Sequence, residues 1–305
     1  MRAPEPPAIE TGGRDCFREF RADTREHDPV NAYLLAMANA YFYPFVVAQC
    51  IGCDAEDVHR LVSGRLKHWG FAADVRYISR SAFMQYDTQA LVAQTDEIVL
   101  VVFRGSEMPV GVVGRVVATL RDWLATDADM ALTSFSDLGP DVEVHSGFHR
   151  GFMAVAEEIE AAVCDAVQAG RRLWVTGHSM GGALATLAAP WLCARDLPVA
   201  GVYTFGAPMA GGVGLTNLFR TLPIRGFHRY VQAGDPVPAL PPRPAVYQHT
   251  VPPHVIHPDG TISLAETGYQ GPRSLRRHMV QRYCQALYAV LDEAQQRLMP
   301  PPPAA

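Results

Sequence analysis

The stretch Trp174-Val175-Thr176-Gly177-His178-Ser179-Met180-Gly181-Gly182-Ala183-Leu184-Ala185 sets a serine between glycines, after an apolar run and before a string of small helix formers. Gly-x-Ser-x-Gly in that setting is the pattern of a strand, a tight turn and a helix that together expose a nucleophile. A serine hydroxyl is a weak nucleophile at neutral pH and needs a base beside it. The turn aims Ser179 outward but forces its backbone into a strained conformation, so its neighbours must be small where chain passes chain. Gly177 and Gly181 meet that need, and Gly182 and Ala183 allow the helix start to pack closely. The Met180 N–H falls at the helix N-terminus, where an oxyanion would form. The bare five-residue pattern also arises by chance. The preceding apolar run, the second glycine and the Ala/Leu-rich helix argue against chance here.

A serine of this kind needs a base and a group to orient it, in the chain order Ser, acid, His. The acid belongs in a loop at the C-terminal end of a sheet strand. Asp196 precedes the expected strand at 200–205 and so lies at the opposite edge of the sheet. Asp235 follows the expected strand at 227–232, inside Ala233-Gly234-Asp235-Pro236-Val237-Pro238, and is the acid of choice; a plain turn former is the competing role. Among the later histidines, His249 sits in a strand-like run, and His254 and His257 stand among prolines at a hairpin. His278 follows a Gly-containing polar loop and a basic run and opens the last helix, from where it can swing over the sheet edge. It is taken as the base, against the alternative of a surface histidine. His178 adjoins the serine, but the turn separates neighbouring side chains, so it reads as a packing or hydrogen-bonded residue. In this assignment His278 takes the Ser179 proton during attack on an ester carbonyl, and Asp235 fixes the imidazole tautomer.

A second oxyanion donor should come from the loop after an earlier strand. Phe103-Arg104-Gly105-Ser106 offers the Ser106 N–H, although Gly-Ser is also a common turn. The segment 107–120 is apolar, Gly-interrupted and poor in charge. It reads either as a mobile lid over the cleft or as a buried helix or strand.

The elements that must carry these residues follow from periodicity. Residues 1–27 are Pro-, Gly- and charge-rich and read as a flexible extension; 299–305 read as a Pro-rich tail, leaving 28–298 as one domain. Helices are expected over 29–49, 54–69, 149–169, 180–194 and 277–297, and strands over 74–79, 82–87, 90–94, 98–103, 141–145, 173–177, 200–205 and 227–232. A further strand pair is expected at 245–251 and 254–263. Strands alternating with helices predict an α/β fold, a mostly parallel central sheet with helices on both faces.

At 305 residues with net charge −5, the chain buries a full core and carries no basic footprint for nucleic acid. It has no stretch long and apolar enough to span a membrane. The start Met1-Arg2-Ala3-Pro4-Glu5-Pro6-Pro7 lacks the hydrophobic core of a secretory signal, which favours a cytoplasmic protein or a mature secreted form. The six cysteines are scattered rather than spaced as a disulfide framework. Cys50-x-x-Cys53 lies near His59, but no second ligand pair completes a metal site, and the chemistry needs neither metal nor organic cofactor. Nothing in the sequence specifies an oligomeric state.

Several separated motifs agree on a family. Val102-Phe103-Arg104-Gly105-Ser106, Asp122-Trp123-Leu124-Ala125-Thr126-Asp127, Val144-His145-Ser146-Gly147-Phe148, the Gly177–Ala185 elbow, Tyr203-Thr204-Phe205-Gly206-Ala207-Pro208, Asp235-Pro236-Val237-Pro238 with Leu240-Pro241-Pro242, and His278 resemble the class 3 lipases, the fungal-type triacylglycerol lipases of α/β-hydrolase fold. The likeness covers about residues 30–295. It implies Ser179, Asp235 and His278 as a triad, Ser106 and Met180 as oxyanion donors, and a lid directly after Ser106. The segment between Ser106 and Asp122 is longer than the short lid typical of fungal members. The expected activity is hydrolysis of acylglycerols at a lipid–water interface. A phospholipase A1, a feruloyl-type or a short-chain esterase would use the same machinery. A non-catalytic lipid-binding protein on the same scaffold is the alternative from another class.

Overall fold

The computed structural model of the chain describes residues 13–43, 55–83, 86–105, 131–224, 226–242, 246–264 and 271–304. The strands are β1 (Arg76–Phe83), β2 (Tyr86–Gln94), β3 (Ile98–Phe103), β4 (Leu132–Ser134), β5 (Glu143–His145), β6 (Arg172–His178), β7 (Val199–Phe205), β8 (Gly226–Gln232), β9 (Pro253–Ile256) and β10 (Ile262–Leu264). The helices are α1 (Pro29–Tyr41), α2 (Ala55–His68), α3 (Ser146–Gln168), α4 (Met180–Cys193), α5 (Val213–Phe219), α6 (Val280–Ala289) and α7 (Glu293–Leu298).

Eight strands form one sheet in the order β1-β2-β3-β6-β7-β8-β9-β10. The run β3-β6-β7-β8-β9 is parallel, and antiparallel pairs close both edges. Strand β3, Ile-Val-Leu-Val-Val-Phe, is buried at every position, as a strand covered on both faces must be. Alternation divides its side chains. Leu100 and Val102 join the core under α1 and α6, whereas Val99, Val101 and Phe103 join the core under α3 and α4. The expected fold is therefore the one observed, with helices packed on both faces of a mostly parallel sheet.

Local signals explain the helix boundaries. Helix α1 has Pro29 in its first turn, and the Asp28 carboxylate accepts the Asn31 N–H at 2.9 Å. It ends at Tyr41, short of the expected 49; residues 44–54, which include Cys50 and Cys53, lie outside the described residues. The expected final helix over 277–297 divides into a 3-10 turn at Leu275–His278, then α6, then α7. The division falls where Asp292 caps α7 in a reciprocal box with Gln295.

Other expectations are corrected. The three strands foreseen over 74–94 are two long ones, because no Gly or Pro interrupts 76–83 or 86–94. The strand foreseen at 141–145 is confined to β5, which pairs with β4 outside the central sheet. Residues 254–263 supply both strands of the β9–β10 pair, whereas the described part of 245–251 forms only an isolated bridge from Gln248 to Gly211. The N-terminal stretch is not loose over 13–27. Phe17 packs edge-on to Phe71 at 4.4 Å, Phe20 packs on Trp174 at 4.9 Å, and both are buried. Two aromatic anchors outweigh the polar composition around them. Residues 1–12 lie outside the described residues.

Candidate active site

Strand β6 delivers the chain from the sheet interior to Ser179, and α4 leaves at Met180. Ser179 has φ 58° and ψ −130°, an uncommon backbone for a residue with a side chain. Two backbone hydrogen bonds hold it there. Its N–H donates to the Phe205 carbonyl, and its carbonyl accepts the Gly182 N–H, both at 2.9 Å. The turn tolerates no bulk beside it. A Cβ at Gly177 would overlap the Gly181 carbonyl, and one at Gly181 would overlap the Phe103 carbonyl.

The C-terminal ends of the parallel strands bring the partners together. Asp235 lies just beyond β8, and His278 ends the 3-10 turn before α6. His278 Nε2 is 2.8 Å from Ser179 Oγ, and His278 Nδ1 is 2.9 Å from Asp235 Oδ2. All three residues are buried. An ionised carboxylate only accepts, so Nδ1 carries the proton and Nε2 presents its lone pair to the serine hydroxyl. The competing residues go elsewhere. Asp196 sits in a left-handed turn after α4. His249 Nε2 contacts the Pro238 carbonyl at 2.7 Å, His254 contacts His228 at 3.1 Å, and His257 contacts Ser263 at 2.7 Å.

Three supports surround this line, two of them unread in the sequence and the third read without its partners. Tyr283 donates its hydroxyl to Asp235 Oδ2 at 2.6 Å and accepts the Gln232 N–H at 3.1 Å. The Val237 N–H donates to Asp235 Oδ1 at 2.9 Å, so both carboxylate oxygens are engaged and the plane of the acid is fixed. Burial, reinforced by the Asp235 charge, raises the Tyr283 phenol well above its ordinary pKa, so it remains a donor. The third is His178. Its Nε2 faces the His278 carbonyl at 2.7 Å and must donate there, and its Nδ1 then accepts from the Tyr43 hydroxyl at 2.9 Å. The His178 ring also stacks on the His278 ring, 4.7 Å between centroids. Burial first, then the neighbouring His278, lowers the His178 pKa well below the ordinary value. His178 is thus a neutral brace for His278, in keeping with the hydrogen-bonded role expected of it. The available signals were Tyr283 lying five residues beyond His278 and His178 adjoining the serine, but neither spacing reveals a partner.

Met180 opens α4 directly after the serine. Gly105, at the end of the described part of the β3 loop, lies against the elbow; a Cβ there would come 2.7 Å from the His178 carbonyl and 3.0 Å from Ser179 Cβ. Ser106, the segment 107–120 and the Asp122–Asp127 motif lie outside the described residues. The Val144–Phe148 motif joins β5 to α3, where His145 Nδ1 accepts the Phe148 N–H at 3.3 Å. Among the described residues, no group of three or more His, Cys, Asp or Glu side chains could hold a metal ion. No helix among them is long and apolar enough to cross a membrane. The arrangement can move a proton from a serine hydroxyl to an imidazole oriented by a buried carboxylate, which is the requirement for acyl transfer.

Comparison with known proteins gives consistent results. A family model described as Lipase (class 3) matches residues 100–245. A lipase of Rhizomucor miehei is 29% identical over 239 residues, covering 75% of this chain and 58% of that protein. The secreted mono- and diacylglycerol lipase 1 of Fusarium solani is 34% identical over 139 residues, covering 44% of this chain and 39% of its own length. The chain therefore spans less than two thirds of the length of these curated relatives. Among solved structures, the native Rhizomucor miehei lipase propeptide complex superposes with a TM-score of 0.57 at 24% identity, covering 81% of this chain and 77% of that one.

Proposed function

We propose that this chain, whose residues 100–245 match the class 3 lipase model, is a carboxylic ester hydrolase acting on acylglycerols through an acyl-enzyme. The observation that carries this reading is the unbroken buried line from Ser179 Oγ through His278 to Asp235, at 2.8 and 2.9 Å. In the proposed cycle Ser179 Oγ attacks the ester carbonyl carbon while its proton passes to His278 Nε2. The carbonyl oxygen, now an oxyanion, takes hydrogen bonds from the backbone N–H groups of Met180 and Ser106. The position of Met180 at the start of α4 and the approach of Gly105 to the elbow support these two donors. Collapse expels the alcohol, which takes its proton from His278 Nε2. Water then attacks the acyl-serine with His278 as base, releasing the carboxylic acid and restoring Ser179. Asp235 keeps Nδ1 protonated and stabilises the imidazolium.

The test is a chain-length series of esters, each assayed below and above the concentration at which the substrate forms an interface, on wild type and Ser179→Ala. Hydrolysis by wild type, and loss of about a thousandfold or more in Ser179→Ala, is the expected result. A wild type that cleaves no ester of any length, with or without an interface, overturns the reading. Full activity in Ser179→Ala overturns the assignment of the nucleophile. Relatives from Fusarium solani and Penicillium cyclopium carry "secreted" in their names, which supports action outside the cell and lends nothing to a cytoplasmic location. Fractionation of the producing cells and medium checks that.

A further inference from the structure

Beside Asp235, residues of β8 and β9, of helix α5 and of the stretches 238–239 and 248–252 line a cleft of about 480 Å³. Three arginines line it, Arg229 from β8, Arg220 from the end of α5 and Arg273 from the segment before His278, with Gln248, His249 and Thr250 between them. Arg229 is the unusual member. It is buried, 6% exposed, and among the described residues only its Nε is used, donating to the Val251 carbonyl at 3.1 Å. Among the described residues no carboxylate forms an ion pair with Arg229, Arg220 or Arg273. A buried guanidinium is ordinarily matched by an anion, because its desolvation is otherwise uncompensated. The one carboxylate on the cleft wall among the described residues, Asp235, is not available for the purpose. Its side chain is wholly buried and already takes hydrogen bonds from His278, Tyr283 and Val237. Burial pulls the Arg229 pKa down to about 10, and it stays a cation at neutral pH. The Nε bond to Val251 holds the guanidinium of Arg229, which lines the cleft.

We propose that this cleft is a binding site for a phosphoryl group, separate from the nucleophile but sharing the wall formed by Asp235. A tetrahedral dianion matches the donor set better than a carboxylate does. Three guanidinium groups supply more charge than one carboxylate neutralises, and two forks can each engage two oxygens of the same phosphate. The volume admits a phosphate monoester or a lipid head group as well as the free ion. The amide, imidazole and hydroxyl groups of Gln248, His249 and Thr250 are suited to the ester side of such a ligand.

Calorimetric titration at low ionic strength tests this with inorganic phosphate, glycerol phosphate and, as a monoanionic control, acetate. Both phosphates are expected to bind with an affinity that falls as salt is raised, and acetate at least about tenfold more weakly. Arg273→Ala and Arg220→Ala, both at exposed positions, should each weaken phosphate about tenfold, the loss of one charge-assisted contact. Arg229→Gln should abolish binding; if that variant does not fold, the two exposed variants decide. Vesicles separate the two sources of the ligand. Capture by diether phosphatidic acid, which offers no ester to cleave, and release by inorganic phosphate identify a head-group site. Phosphate binding without capture by these or by diether phosphatidylcholine vesicles identifies a soluble phosphate ligand. Absence of phosphate binding, acetate binding as tight as phosphate, or phosphate affinity unchanged in both exposed variants overturns the proposal and leaves a solvated arginine only. None of these readouts depends on ester hydrolysis, so the site and the proposed activity stand or fall separately.

Discussion

Acid should destabilise this fold steeply, well before carboxylates are fully protonated. Among the described residues, four histidines have their pKa pulled far down by their surroundings. Burial, with His278 beside it, lowers His178 well below the ordinary value; burial lowers His228 and His254 to about 4 and His249 to about 3. In the unfolded chain each titrates near its ordinary value of about 6.5. Between that value and the depressed one the unfolded state binds more protons than the folded state, so stability is complete above about pH 7 and is lost as pH falls. From pH 8 to pH 5 each unfolded histidine titrates through about 1.5 units below its pKa, which at ~1.4 kcal/mol per unit removes about 2 kcal/mol. His178 is counted in full. His228 and His254 contact each other at 3.1 Å and His249 and His254 are partly reached by solvent, so these three are counted at about half. The sum is about 5 kcal/mol, comparable with the whole stability of a typical domain. Urea unfolding at pH 8, 7, 6 and 5, read as the extrapolated free energy, is the measurement. A free energy that changes by less than about 1 kcal/mol across that range would refute the claim that these side chains are neutral because they are buried.

Three substitutions probe the support of the triad directly. Tyr283→Phe removes the 2.6 Å bond to Asp235 and leaves the Gln232 N–H without its acceptor, so it should cost about 1–3 kcal/mol in denaturant unfolding and lower kcat with little change in KM. Unchanged stability and rate would show the tyrosine to be a bystander. Gly206 has φ +59°, and a Cβ there would come 2.8 Å from Asp235 Oδ2 and 3.0 Å from His278 Nδ1. Gly206→Ala should therefore push the acid and the imidazole apart, with ester hydrolysis falling on the order of tenfold to a thousandfold, short of the loss of the acid itself. His178→Leu removes the donor to the His278 carbonyl; kcat should fall about tenfold, and the stability lost between pH 8 and pH 5 should shrink by about 2 kcal/mol.

What the sequence disclosed about this site depends on how local each signal is. The elbow is local: strand, glycine, serine, glycine and helix occupy a dozen consecutive residues, and each demand on them can be stated without knowing the fold. Asp235 and His278 are separated from Ser179 by 56 and 99 residues, yet they were legible because a parallel sheet delivers successive strand ends to one edge. Asp196 could be set aside by the same argument, since it precedes its strand. The failures share the opposite character. The bond from Tyr283 to Asp235, the hold of His178 on the His278 carbonyl, and the packing of Phe17 and Phe20 on Phe71 and Trp174 join distant parts of the chain. Tyr33 donates its hydroxyl to the Pro300 carbonyl at 2.6 Å, across 267 residues, which ties the start of the Pro-rich tail to α1. Composition named that tail and the N-terminal stretch as peripheral, because it weighs the polar majority and misses one or two anchors. The Arg229 cleft has the same origin. A β-strand arginine looks like an outward-facing charge in sequence, and only its neighbours across the fold, Val251 among them, show it to be buried. Sequence motifs thus identify groups whose chemistry dictates their neighbours along the chain. The groups that tune or extend that chemistry are dictated by neighbours across the fold, and they are where this molecule's individual properties reside.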